Sequence, residues 1–362
     1  MTRERGRISL NQAIFLVVTA MFSPFVQLMP SYTTRFAGQA AWVSAVWAFV
    51  IFLPIIFILG SFAKKYSDMD FIEIMDDICG KVISRIFAFI YLAMVVMLAA
   101  LYLRYYCESL LSTALPYVSP YIFLTSMAAV VWAAARKSTV TFARMNEIMM
   151  CVILLSFIVC SVFSVPSMNI RNFLPVSYLD IVPSLRGSVG VLAVWSYIPI
   201  VLLFLPNVNG KENINAVCMK THIAVFAIAL AVMAVTEGVL GSGTAAIVQI
   251  PFFTAVKQIS VFGYIERIES LVVSLWVISD FTLITLFITL AYSITKRLFG
   301  MSGGRSVVSA YIFIIFPLSM LLGRSVFELQ NFSNMVVVYL NVILGIGVPA
   351  AVFLLGKIRR RL

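Results

Sequence analysis

Ten long apolar runs separated by short polar stretches leave this chain few ways to fold. A bilayer core of about 30 Å takes about 20 apolar residues per helical crossing. Runs of that order lie at 10–29, 40–62, 82–112, 119–135, 145–165, 187–205, 214–241, 265–293, 306–322 and 333–355. They do not alternate, whereas the strands of a membrane barrel read as alternating segments of about ten residues. A mean hydropathy of +1.04 and 62% apolar residues fit the same solvent. The expectation is one all-α transmembrane domain over residues 1–362. The first run follows Arg3, Arg5 and Arg7 but no small-residue cleavage site follows it, so it reads as a helix.

Lys and Arg accumulate at the cytoplasmic ends of spans. With the N-terminus inside, only Arg35, Arg104, Arg171, Arg186, Lys257, Arg267 and Arg324 of the 26 basic residues fall outside. Both termini are therefore expected on the cytoplasmic side. The net charge of +11 follows from this topology and is no nucleic-acid footprint. "KIRRRL" at 357–362 reads as an anchor beside anionic lipid. "SDMDFIEIMDDICG" at 67–80 alternates acids with apolar residues, the pattern of a short amphipathic helix on the inner surface. The five cysteines form no CxxC pair, His222 has no ligating partners, and no phosphate loop or nucleophile elbow occurs. No metal, cofactor or catalytic centre is expected.

Corresponding spans of the two halves begin 174 to 188 residues apart. An odd number of crossings per half makes the second half enter from the opposite side. An inverted five-plus-five repeat is expected, with halves at 10–165 and 187–355. Such repeats build their site at the midplane, where matching helices are interrupted. "TAMFSPFVQLMP" carries Pro24 inside span one, and "WSYIP" carries Pro199 in span six, 175 residues on. Proline lacks an amide proton and clashes with the carbonyl four residues back, so each break frees main-chain groups where there is no water. A zwitterionic amino acid would satisfy such bare amides and carbonyls. Ordinary kinks, closed by neighbours and by the Ser23 and Ser196 hydroxyls, are the plainer alternative. By depth and position at the breaks, the ligand-binding candidates are Ser23, Pro24, Phe25, Met97, Trp195, Ser196, Tyr197 and Thr282.

Span eight places Ser274, Thr282, Thr285 and Thr289 on one face and Glu266, Glu269 and Asp280 nearly opposite. Lipid cannot cover both faces, so this helix should be enclosed by protein. Asp280 lies about 22 Å along the helix from Ile265 and so within the hydrocarbon layer. A proton relay or cation site is one reading, and a neutral carboxyl tying helices together is the other. Arg104, Glu108, Glu237, Glu266, Arg267 and Glu269 collect toward the outer surface as a gate or as solvated interfacial pairs. "GVLGSGT" at 238–244 marks a helix end, and 247–263 reads as a short helical lid over the outer mouth.

The stretches "AGQAAWVS" at 37–44, "NFLPV" at 172–176, "FLPNVN" at 204–209 and above all "YIERIESLVVSLWVIS" at 264–279 resemble the B subunit of the GerA-type spore germinant receptors. The resemblance runs over nearly the whole chain and is strongest at Glu266, Arg267 and Trp276, while Asp280 stands outside the shared positions. It implies membership of the amino acid, polyamine and organocation superfamily and a LeuT-like fold with broken helices one and six. It further implies a protein of the endospore inner membrane that detects nutrients together with an A subunit and a lipoprotein C subunit. A nutrient sensor is thus expected, with a cation-coupled amino acid carrier as the alternative built on the same cavity; fold alone does not separate them.

Overall fold

Ser9 starts the helical bundle: its hydroxyl accepts the Gln12 amide while the Gln12 side chain accepts the Ser9 amide, a reciprocal cap that launches α1 (Leu10–Gln27). The structure, a computed structural model, describes residues 7–259, 269–301 and 306–362. After α1 come α2 (Met29–Ala37), α3 (Ala41–Lys65), α4 (Phe71–Cys79), α5 (Lys81–Thr113), α6 (Pro120–Ala135), α7 (Thr139–Ser164), α8 (Ile181–Trp195) and α9 (Val201–Phe204). The rest are α10 (Ile214–Ile247), α11 (Pro251–Lys257), α12 (Glu269–Leu298), α13 (Ser306–Leu321), α14 (Val326–Phe332), α15 (Val338–Val342) and α16 (Val348–Ile358).

Among the described residues, eight helical segments are long and apolar enough to cross a membrane, and the shorter apolar α6 and α13 complete the ten runs. Several helices outlast their apolar runs, because a helix needs no lipid beyond the hydrocarbon layer. The fifth starts at Thr139 on a Ser138 cap, and the seventh continues past "GVLGSGT" to Ile247 by kinking at Gly241, whose φ of 72° suits glycine. Within the stretch expected as a lid, 251–257 form α11, which buries Phe252 and Phe253 against Phe157 and Trp276, and 260–263 lie outside the described residues.

Burial sorts the spans. The α1 and α8–α9 windows are 83% buried and α12 72%, against 33% for α7 and for the α14–α16 segment. The first group forms the centre and the second faces outward. α12 lies against α5 and α1, while α2 and α3 pack on α8 and α10. Glycine permits the closest approaches: a Cβ on Gly190 would sit 2.3 Å from the Tyr32 ring.

Both chain ends meet at one end of the bundle, the terminal end. There Ile8–Ser9 pairs in parallel with Val208–Asn209, and Asp68 lies 3.7 Å from Arg7 and 3.8 Å from Lys211. The expected amphipathic helix is α4, opened by a reciprocal cap between Asp70 and Glu73. It buries Phe71, Ile72, Ile74, Met75 and Ile78. Its acidic face is held by Arg297 at the end of α12, 3.1 Å from Asp70, 2.7 Å from Glu73 and 3.1 Å from Asp76. Arg361 reaches Asp77 at 2.5 Å. The latch thus ties α4 to α12 and to the C-terminus.

Burial pushes the Asp70 carboxyl up more than Arg297 and the Glu73 amide hold it down. Its charge therefore costs stability at neutral pH, and that cost disappears as pH falls through its folded-state value. Arg297→Ala should lower stability by roughly 1–3 kcal/mol, because it strips three carboxylates of their partner. Asp70→Asn keeps the cap and should stay within about 0.5 kcal/mol of wild type. Thermal unfolding of the detergent-purified protein measures both, and equal losses would contradict this division.

Candidate ligand site

Pro24 opens a gap in the main-chain ladder of α1, and a hydroxyl from another helix fills it. Ser279 of α12 accepts the Ser23 amide at 2.7 Å and donates to the Thr19 carbonyl at 2.7 Å. The Ala20 carbonyl, which Pro24 leaves without a main-chain amide, lies 3.5 Å from the same hydroxyl. α1 continues through Pro24 to Gln27, and the chain changes direction only at Leu28, before α2. The interruption expected at Ser23–Pro24 is thus a bridged opening, with the helix boundary one turn further on.

The second interruption lies where "WSYIP" placed it. α8 ends at Trp195, Ser196 and Tyr197 form a turn, and residues 198–200 tighten into a single 3-10 turn. The Ala193 carbonyl accepts the Ser196 hydroxyl at 2.6 Å and the Asn341 amide at 3.4 Å. Bare amides and carbonyls were expected at both breaks; here Ser279, Ser196 and Asn341 take up groups that proline and the turns release. Lacking water, a freed main-chain group in a bilayer takes a side-chain partner.

Between the two breaks lies a cavity of about 30 Å³, room for one or two waters. Its walls come from Pro24 and Leu28, from Tyr102 of α5, from Ala193 and Tyr197, and from Ser333, Asn334 and Asn341. Tyr197 Oη lies 3.1 Å from Tyr102 Oη and accepts the Asn341 amide at 3.1 Å. A second cavity of about 40 Å³, lined by Phe71, Tyr91, Ser196, Pro199 and Phe287 among others, also has Tyr197 in its wall. Tyr197, packed edge-on against Phe287 at 5.7 Å, is common to both linings. The final span widens into five-residue turns at Ser333–Val337 and Ile343–Gly347, and these contribute wall to the first and second cavity respectively.

The family model described as spore germination protein matches residues 7–328. The chain belongs to the spore germination protein family. It is 25% identical over 304 residues to Spore germination protein KB of Bacillus subtilis (strain 168), covering 82% of this chain and 80% of that one. These matches fit the B-subunit type of the GerA-type receptors. Among solved structures, MhsT in complex with L-phenylalanine matches with a TM-score of 0.62 at 13% identity, over 94% of this chain and 97% of that one. At that identity the likeness concerns fold alone, and the fold is LeuT-like: all-α and membrane-embedded.

In this spore germination protein the candidate residues separate into groups. Pro24 and Tyr197 line the first cavity, and Ser196 and Tyr197 the second. Ser23 stands behind the wall, accepting the Gln27 amide at 2.7 Å, while Ser109 donates to Gln27 at 2.7 Å. Trp195 packs against Phe52 and His222, and Thr282 reaches Asn146 of α7 at 3.3 Å. Phe25 is buried and Met97 half-buried in the core, and neither lines these cavities. Arg104 and Glu108 pair at 2.6 Å, and Glu237 is buried on α10, so the expected outer cluster is divided. Glu269 opens α12, and Glu266 and Arg267 lie outside the described residues. The expected hydroxyl face of α12 is also divided: Ser274 is exposed and bonds its own helix at Ser270.

The sequence reading missed Ser279, Tyr102, Asn341 and the wide turns of the last span. The signal for Asn341 was present, an amide amid apolar residues, and so was that for Gly345. A Cβ on Gly345 would stand 2.4 Å from the Ser196 carbonyl oxygen. Gly345→Ala should therefore cost roughly 1–3 kcal/mol, whereas Gly347→Ala, whose Cβ would meet nothing closer than 3.8 Å, should be neutral or stabilising. Ser279→Ala orphans a buried amide and weakens satisfaction of the Thr19 carbonyl. It should cost about 1–3 kcal/mol per unsatisfied group. Thermal unfolding of the three variants checks both statements.

Proposed function

We propose that this chain is the nutrient-sensing subunit of a spore germinant receptor, binding an amino acid or similar small germinant between the two helix breaks and signalling to partner subunits. One observation carries the reading: a small cavity whose wall joins both interruptions through the polar Tyr102–Tyr197–Asn341 cluster. Family membership supplies the context of germination. The partners would be the A and lipoprotein C subunits, the place the inner membrane of the endospore, and the basic terminal end the spore-core side of the bilayer. The five-plus-five repeat of 10–165 and 187–355 accounts for two breaks meeting at one depth.

A cavity of about 30 Å³ is too small for an amino acid and represents a closed state. Ligand entry would require the Leu28 junction or the Tyr197 turn to yield. The germinant would then stabilise the open arrangement only by its preference for it over the closed one. Signalling strength would be limited by the same difference.

A carrier is the second reading, and the two neighbouring cavities that share Tyr197 in their walls favour it. Tyr197→Phe removes the hydroxyl and keeps the ring; Tyr197→Ala removes both. In spores with unchanged receptor abundance, Tyr197→Phe should shift the half-maximal germinant concentration by about tenfold, the equivalent of one lost hydrogen bond. Tyr197→Ala should alter the response more strongly. Wild-type responses from both would sink the cavity assignment. Cation-dependent accumulation of labelled amino acids by the purified protein in liposomes would favour the carrier.

A further inference from the structure

Asp280 immediately follows the serine that bridges α1, and it has 0% exposure. Neither carboxylate oxygen closes a hydrogen bond. Ser23 and Gln27 of α1 are the polar side chains that reach toward it. Both are uncharged, and they belong to the Ser109–Gln27–Ser23 chain of hydrogen bonds. Ser23 Oγ accepts from Gln27 and so retains its own proton to donate.

Among the described residues, the groups facing Asp280 include no cation that could pair with it. From α5 come Tyr102 and Tyr106. Arg104 on the same helix is engaged with Glu108 at 2.6 Å. Of the other helices packed on α12, α7 carries Arg144 and Glu147, the latter accepting Gln12 near the start of α1. Arg136 caps the end of α6 over Trp132, Lys257 ends α11, and Tyr311 of α13 bonds Thr295. An ionised carboxylate without a counter-charge at this depth is costly, whereas a neutral acid is not.

We propose that Asp280 is a proton-binding site, a neutral carboxylic acid while Ser279 clasps α1, which releases its proton to water and becomes a carboxylate when α1 and α12 separate. Ser23 reaches toward Asp280 and its neighbour Pro24 lines the cavity, so opening the cavity at α1 and wetting Asp280 are one movement. Protonation of Asp280 holds whether the cavity senses or carries its ligand, and its test needs no germinant.

The test is the carboxylic-acid C=O stretch in the infrared spectrum of the detergent-purified full-length protein near neutral pH. Glu237 is also fully buried with unpartnered oxygens, so Glu237→Gln serves as the control. An acid band should persist in Glu237→Gln and vanish in the Asp280→Asn, Glu237→Gln double variant. The midpoint of thermal unfolding should also fall from pH 5 to pH 9 less steeply in Asp280→Asn than in wild type. The unfolded aspartate ionises above about pH 4 while the folded one keeps its proton, so stability drains as pH rises. Absence of an acid band from Glu237→Gln overturns the proposal, and that arm stands even if Asp280→Asn fails to accumulate. Stabilisation by sodium over choline that Asp280→Asn abolishes also overturns it, by identifying a metal-ion site.

Discussion

A single serine hydroxyl inserted into the ladder of the first helix organises the middle of this protein. In water, Pro24 would cost α1 one hydrogen bond and the solvent would replace it. Inside a bilayer no solvent is at hand, and an orphaned amide or carbonyl costs several kcal/mol. Ser279 covers the gap by accepting from Ser23 and donating to Thr19 at once, 3.5 Å from the Ala20 carbonyl that Pro24 leaves without its amide. The price is a fixed register between α1 and α12. That register places Asp280 beside Ser23 and Gln27, and it places Pro24 at the wall facing Tyr197. The second break obeys the same rule through Ser196 and Asn341.

Such an arrangement suits a protein that must change state. A continuous helix has no reason to open at one place, and a helix with bare groups would not persist in lipid. A ladder closed by a neighbour's hydroxyl lies between these: stable while the neighbours touch, and openable when they part, provided water or ligand takes over. Closure at the terminal end is more extensive. Arg297 binds Asp70, Glu73 and Asp76 on α4 and its cap, and Ile8–Ser9 is stitched to the segment after α9. Conformational freedom therefore concentrates around Leu28, Tyr197 and the last span.

The ten spans were legible because transfer of apolar residues into lipid depends on composition, which a sequence carries openly. The amphipathic α4 was legible for the same reason, since acids and apolar residues alternate over its length. The Tyr197 turn could be placed from "WSYIP" because proline's missing amide is a local fact. What satisfies a break is not local. Ser279 is one of many serines, and its role depends on α12 arriving beside α1 in one rotation, a product of packing across more than 250 residues. The reading of α12 chose Thr282 and Ser274 by periodicity, yet the first turns to α7 and the second is exposed. A helical wheel separates faces without saying which neighbour each face meets.

The wide turns of the final span show the other limit. No proline announces them, and Ser333–Val337 and Ile343–Gly347 remain helical in hydrogen-bond count while each adds a residue to a turn. Their cause is visible only with neighbours in place. Tyr91 donates to the Leu344 carbonyl at 2.6 Å, and Gly345 is pressed against the Ser196 carbonyl. A regular turn at Gly345 would change the rotation of the last span and withdraw Asn341 from Tyr197. The break in span six and the irregularity in the last span are therefore one feature seen from two helices: Ser196 shapes the turn at Gly345, and the adjoining Asn341 returns a hydrogen bond to Ala193 at the end of α8. A movement of the Tyr197 turn consequently moves the last span as well. That span is among the least buried of the bundle, so such a movement reaches the outer surface.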